Sequence, residues 1–253
     1  MRMKTKRLEE ITKLLGIHGS MGVAQLSEML QVTEKTVRLD LATLEKMGIV
    51  ERVHGGAIIK SSMNEIYPLP AKRHRNNKEK QAIAVAALSY INDGDIIILD
   101  SGSTTLELAK ILDKRVIVIT NDPFISYLLI NNDKVTLLCT GGELRRSAGL
   151  AYTGVDVIRM ISNYHVNKSF LSTTAFDMEH GLTVFSSMEG EIKQAFLAAS
   201  DQTYFMIDYS KFHQTALYSF ARTADIHHII TDSRISAEDI ELLKTSSIHI
   251  DIV

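Results

Sequence analysis

From residue 76 to the C-terminus, short apolar runs rich in β-branched residues, such as DIIILD (95–100), VIVIT (116–120) and TYFMID (203–208), alternate with helical patterns. These patterns cover about 78–91, 103–112, 123–131, 152–162, 188–200 and 236–245. A strand followed by a helix-length segment cannot return as a hairpin. It pairs in parallel with the next strand, and the intervening helix covers one face of the sheet. The alternation therefore predicts an α/β class domain, a mostly parallel sheet with helices on both faces, over 76–253.

The first sixty residues do not share this alternation. Leu8, Ile11, Leu14 and Leu15 recur at helical spacing until Gly16, and Val23, Leu26, Met29 and Leu30 repeat the pattern, placing all four on a buried face. Thr33 can cap a third helix, TEKTVRLDLATLEKMG (33–48), which sets Val37, Leu41 and Leu44 on one face and Lys35, Arg38 and Glu45 on another before ending at Gly48. IVERVHGGAII then alternates and breaks at Gly55-Gly56, the pattern of a two-stranded wing. Three helices and a hairpin in 1–60 predict a winged helix-turn-helix. Residues 61–75 hold two of the three prolines and read as a linker.

Charge divides along the same line. Residues 1–80 carry 15 Lys and Arg against 9 Asp and Glu, whereas residues 81–253 carry 13 against 21. A basic head on an acidic body suits a nucleic-acid-binding module joined to a body that stays off the polyanion. The charged N-terminus and the lack of a long apolar run predict no membrane segment and a cytoplasmic protein. The single Cys139, in the run VTLLCT, excludes an internal disulfide and reads as a small buried hydrophobe.

The N-terminal turn of a recognition helix enters the major groove, so Thr33, Lys35, Thr36 and Arg38 are the candidate DNA contacts. The Arg38 fork suits a guanine edge and Lys35 a phosphate. In the wing, Arg52, His54 and Gly55 are candidates, although a Gly-Gly pair also suits a tight turn with no ligand.

In the body, strand DIIILD runs into Ser101, Gly102, Ser103, Thr104 and Thr105 and then a helix. Such a turn aims backbone N–H groups, hydroxyls and a helix N-terminus at one point and suits a phosphate, while Ser and Thr also cap helices without a ligand. Asn121 in TND, Gly141, Gly142 and Glu143 in TGGELR, and Asp208 and Lys211 in DYSK each follow an apolar run, where a parallel sheet gathers ligand groups. For Asp208 and Lys211 a surface ion pair is the alternative. No His or Cys cluster has zinc spacing, and neither G-x-G-x-x-G after the first body strand nor G-x-S-x-G occurs, so no metal, cofactor or catalytic residue is expected. The pair His227-His228 is expected at the edge of a strand.

The segment RLEEITKLLGIHGSMGVAQLSEMLQVTEKTVRLDLATLEKMGIVERVHGGA resembles the N-terminal domain of the DeoR family of transcriptional regulators, with T-V-R-x-D-L-x-x-L-E and HGGA as its signature. Leu39 departs from the arginine usual in that family, which implies a different operator. The body motifs resemble the family's effector domain, similar to the ribose-5-phosphate isomerase fold. That resemblance implies operator DNA and a phosphorylated sugar as partners, a repressor of a sugar or carbohydrate operon, and a homodimer or homotetramer. It also implies roles in effector response for Arg73 and Lys80, which composition alone describes as a basic linker able to touch DNA phosphates. A phosphosugar isomerase-like enzyme and a ligand-less dimerising regulator are the alternatives.

Overall fold

The computed structural model describes residues 7–8, 10–12, 14–15, 20–46, 50–53, 55–59, 75–145 and 150–253. The chain forms two compact units, Met1–Arg75 and Asn76–Val253. The expected linker contacts through Arg73, and the wing residue His54, lie outside the described residues.

In the first unit the described residues between 7 and 15 are helical (α1), followed by β1 (Ser20–Gly22), α2 (Val23–Leu30), α3 (Glu34–Lys46), β2 (Val50–Val53) and β3 (Gly56–Ile59). Ile11, Leu15, Leu26, Val37, Leu41, Leu44, Val50 and Ala57 close one core. A core this small gains from a polar anchor, and Asp40 of α3, 1% exposed, accepts from Arg7 Nε at 2.5 Å and ties α3 to α1. Two expectations change. The wing has a third strand, in the order β1-β3-β2, because β1 is too short to show alternation. Met29 is 56% exposed, since the buried stripe runs through Val23 and Leu26 with Leu30 packed beside it, and Met29 lies around the helix from that line.

The second unit opens on α4 (Asn77–Leu88). It continues through β4 (Ile96–Leu99), α5 (Ser103–Ile111), β5 (Val116–Thr120), α6 (Pro123–Leu129), β6 (Val135–Cys139), the hairpin β7 (Glu143–Arg145) and β8 (Ala151–Thr153), and α7 (Val155–Ile161). After β9 (Val166–Leu171), β10 (Ala175–Asp177) and β11 (Gly181–Val184) come α8 (Ser187–Ala198), β12 (Ser200–Met206), a 3-10 turn at Tyr209–Lys211, β13 (Tyr218–Ala221), β14 (His228–Thr231), α9 (Ala237–Thr245) and β15 (His249–Ile252).

Seven strands pair in parallel in the order β15-β14-β12-β9-β4-β5-β6. Alternate residues feed two cores: Ile98, Leu171, Phe205 and Ile229 face one, and Ile97, Leu99, Phe170, Met206 and Ile230 the other. Burial on both faces explains why these strands read as unbroken apolar runs. The pattern expected as a helix over 152–162 begins as β8 and turns helical only at Val155, and the antiparallel sheet β10-β11-β13 has strands of three and four residues, too short for periodicity to reveal. Cys139 is exposed, with Sγ 3.1 Å from Ser126 Oγ, because β6 is an edge strand.

Candidate DNA interface and effector site

In the first unit Thr33 sits at the start of α3, where its Oγ1 accepts from Thr36 N at 3.2 Å and lies 2.9 Å from Thr36 Oγ1. The cap holds the first turn of the helix, with Lys35 and Arg38 exposed on it. Arg38 donates to Glu34 Oε2 at 2.5 Å along one helix face, and the pair is open to solvent. Such an exposed pair contributes roughly 0.3 to 0.5 kcal/mol, so a base edge can displace Glu34 cheaply. Leu39, the departure from the family pattern, is 61% exposed beside Arg38. In the wing, Arg52 lies 3.8 Å from Glu45, and Gly55 takes φ 79°, a left-handed turn position that suits glycine.

In the second unit the sequence-selected loops leave the carboxyl ends of their strands in one row. β4 leads to β5 and β6 on one side, whereas β9, β12, β14 and β15 lie on the other. The order therefore reverses between β4 and β9, the kind of switch point at which open α/β sheets gather ligand groups. Asp100 and the Ser101–Thr105 turn leave β4 there. An added Cβ on Gly102 would come 2.3 Å from Ser172 Oγ, just past β9, so only glycine permits this approach.

The turn is tightly held. Ser101 N donates to Asn121 Oδ1 at 3.1 Å and Ser101 Oγ to Asp122 Oδ2 at 3.0 Å, so the β4 and β5 loops are bonded directly. Asn121 Nδ2 donates in turn to Tyr152 O at 3.2 Å. Thr105 Oγ1 donates to Asp100 O and Gly102 O, which makes it a clasp on its own loop. Ser103 is half-buried and Thr104 buried at the opening of α5. Gly141 and Gly142 take φ 62° and 102° on the way to exposed Glu143, which begins β7 and pairs with Thr153.

A second cluster gathers two strands away. Asp208, 2% exposed, accepts at Oδ1 from Asn76 Nδ2 at 2.8 Å, from Ser210 N at 3.1 Å and from Ser210 Oγ at 2.5 Å. Burial alone would raise this carboxyl, but Lys211, the Ser210 hydroxyl, Lys80 and Asn76 together outweigh it and hold the group below the usual carboxylate range. Lys80 is itself buried, on the first turn of α4. Beside it Arg234 donates to Glu79 Oε1 at 3.1 Å and lies 3.8 Å over the Tyr209 ring, while Asp232 accepts from Tyr209 N at 2.7 Å.

The sequence patterns did not single out Asn76, Arg234 or a buried pair behind the phosphate-type turn. There Lys193 of α8, 1% exposed, donates to Asp100 Oδ2 and, at 2.9 Å, to Ser172 O, while Ser172 N and Oγ both donate to Asp100 Oδ2 at 3.1 Å. Lys193 thus joins the two strands of the switch point. Nothing local marks it, because its partner is 93 residues away.

A winged helix-turn-helix whose third helix exposes Lys35 and Arg38, joined to an α/β domain with polar loops at the carboxyl ends of a parallel sheet, defines a DNA-binding regulator with a small-molecule sensor. The DeoR-like helix-turn-helix domain matches residues 7–63 and the DeoR C terminal sensor domain matches residues 75–233. The chain belongs to the DeoR family of transcriptional regulators. It is similar to the uncharacterized HTH-type transcriptional regulator YulB of Bacillus subtilis (34% identical, 98% of this chain and 96% of that one). It is similar as well to the putative aga operon transcriptional repressor of Escherichia coli O157:H7 (34%, 98% and 94%) and to the transcriptional repressor GlcR of Bacillus subtilis (31%, 90% and 88%). A ribose 5-phosphate isomerase A from Methanocaldococcus jannaschii superposes with TM-score 0.39 at 16% identity, over 54% of this chain and 55% of that one. The family is one of DNA-binding regulators and not of enzymes. Among the described residues no helix is long and apolar enough to cross a membrane.

Proposed function

We propose that this regulator is a repressor of a sugar or carbohydrate metabolism operon, and that a phosphorylated sugar bound along the carboxyl edge of the seven-stranded sheet controls its hold on operator DNA. The observation that carries this reading is the pairing of two complementary clusters on one edge. The Ser101–Thr105 turn, at the N-terminus of α5, suits a phosphate. Two strands along, buried Asp208 with Lys80 and Lys211 suits hydroxyl and anionic groups. Two strand spacings amount to roughly 10 Å, a span that suits a sugar phosphate. Two relatives carry the word repressor in their names, which favours repression over activation.

Coupling runs through the start of α4. Asn76 and Lys80 belong to the effector cluster and follow directly in sequence on the segment that joins the units, so a ligand that alters their partners acts on the chain next to that segment. Paired half-sites read by a homodimer or homotetramer complete the reading.

A promoter fragment of the regulator's own gene tests it. The purified chain shifts the fragment at low salt, and one member of a sugar-phosphate panel both raises the melting temperature and changes the shift. Thermal stabilisation at 100 times Kd amounts to about 2.7 kcal/mol, and it disappears in Lys211→Ala and Thr104→Val. No shift of the fragment refutes the DNA reading; stabilisation by no sugar phosphate refutes the sensor reading and favours a dimerising domain without a ligand.

A further inference from the structure

At the far edge of the same sheet, β14 and β15 carry a further cluster that begins at their amino ends. His228 and His249 open β14 and β15 and are register partners in that parallel pair. Asp251 lies two residues beyond His249, so strand alternation returns it to the same face. His228 Nε2 is 2.8 Å from Asp251 Oδ2 and His249 Nε2 is 3.3 Å from Asp251 Oδ1. One ligand atom from each of the three residues lies within 4.8 Å of the other two. The two imidazole centroids are 4.3 Å apart with the rings nearly perpendicular. Tyr90, just past α4, donates its hydroxyl to Asp251 Oδ2 at 2.6 Å, and Tyr90 and Tyr204 pack against the His228 ring at 5.0 and 4.8 Å. The cluster has a closed aromatic floor and one open side: the His228 side chain is 15% exposed, Asp251 25% and His249 64%.

The geometry points to a binding site for one divalent transition ion of the zinc class, held by His228, His249 and Asp251 with solvent water in the remaining position. Zinc takes imidazole nitrogen and carboxylate oxygen at about 2.0 to 2.2 Å in tetrahedral geometry, which sets ligand atoms roughly 3.3 Å apart. The His249–Asp251 separation of 3.3 Å is at that spacing, whereas His228, 2.8 Å from the other carboxylate oxygen, must move outward by about half an ångström to admit the ion. Two nitrogen donors and a single carboxylate disfavour magnesium and calcium, which select oxygen. Tyr90 stands where a ligating carboxylate usually finds its outer hydrogen-bond partner. Sequence spacing conceals the site because its ligands come from two strands joined only by register. The ion would cross-link β15, the outermost strand, to β14, and so stabilise an edge that is paired on one side alone.

Untagged full-length protein, stripped with a chelator, is titrated with Co2+ followed by visible absorption and with Zn2+ in competition and in thermal melts. One equivalent binds, Co2+ develops ligand-field bands, and Zn2+ raises the melting temperature. His249→Ala, at the exposed ligand, and Asp251→Asn each weaken binding at least about tenfold, and Tyr90→Phe weakens it about tenfold while all three ligands are retained. The Asp177, Glu179 and His180 group in the β10–β11 turn serves as the control, because His180→Ala leaves the affinity unchanged. Absence of a single-equivalent site, or full affinity in His249→Ala, overturns the assignment. Loss of binding in His180→Ala overturns it as well, by placing the ion at the other cluster.

Discussion

Asn76 Nδ2 donates to Asp208 Oδ1 at 2.8 Å, across 132 residues of sequence. The bond fastens the first residue of the sensor unit to the carboxylate at the head of the D-Y-S-K turn. Asn76→Ala and Asp208→Asn should each retain operator binding without effector, yet blunt the effector's influence on it. Mobility-shift titrations with and without the sugar phosphate measure both. A full effector response in Asn76→Ala would remove this contact from the coupling route.

The same carboxylate makes stability depend on pH. Its folded pKa is depressed, so its contribution is fully present above the unfolded value of about 3.9 and is lost as pH falls through the lower folded value. Urea unfolding of wild type and Asp208→Asn from about pH 6 downward should show the wild-type advantage at the upper end and a progressive decline once pH falls below the unfolded value of about 3.9. A difference that does not change with pH would contradict the assignment.

Breaking the buried Lys193–Asp100 pair leaves a carboxylate in the interior beside Ser172. Lys193→Met should therefore cost about 3 to 5 kcal/mol, and adding Asp100→Asn should recover part of it. Denaturation midpoints of the two variants provide the comparison. A cost under about 1 kcal/mol would mean that water reaches the pair.

On the recognition helix, Arg38→Ala should cost roughly 1 to 3 kcal/mol on the operator and relax sequence preference. Lys35→Ala should weaken all DNA alike and lower the salt slope by about one. Binding isotherms on operator and random duplex across a salt series separate the two. Equal losses on both duplexes for Arg38→Ala would assign it to the backbone.

Gly102→Ala places a methyl where the structure has Ser172 Oγ, at 2.3 Å, and so must shift the phosphate-type turn. Effector stabilisation in thermal melts should fall sharply while DNA binding without effector is kept. An unchanged thermal shift would show that the turn does not contact the ligand.

Much of this was legible in the sequence for a physical reason. Elements such as the β4 run and α3 are set by periodicity and local caps, so DIIILD and TEKTVRLDLATLEK report their own conformation. The placement of Thr33, Ser101, Asn121 and Asp208 at element ends was legible too, because a polar residue directly after an apolar strand, or directly before a helix, has few places to go. What escaped was Met29, whose exposure depends on where the stripe of α2 meets the core, and Cys139, whose strand is exposed only because it ends the sheet.

By itself the sequence determined a basic three-helix head, an acidic α/β body and polar turns at strand ends, since hydrophobic period, charge and turn chemistry act over a few neighbouring residues. Only the tertiary structure decided that β9 pairs with β4 on the side away from β5, that Lys193 neutralises Asp100, that Asn76 reaches Asp208, and that His228 stands beside His249. Those relations join residues far apart in the chain through strand order and register, which no local pattern encodes.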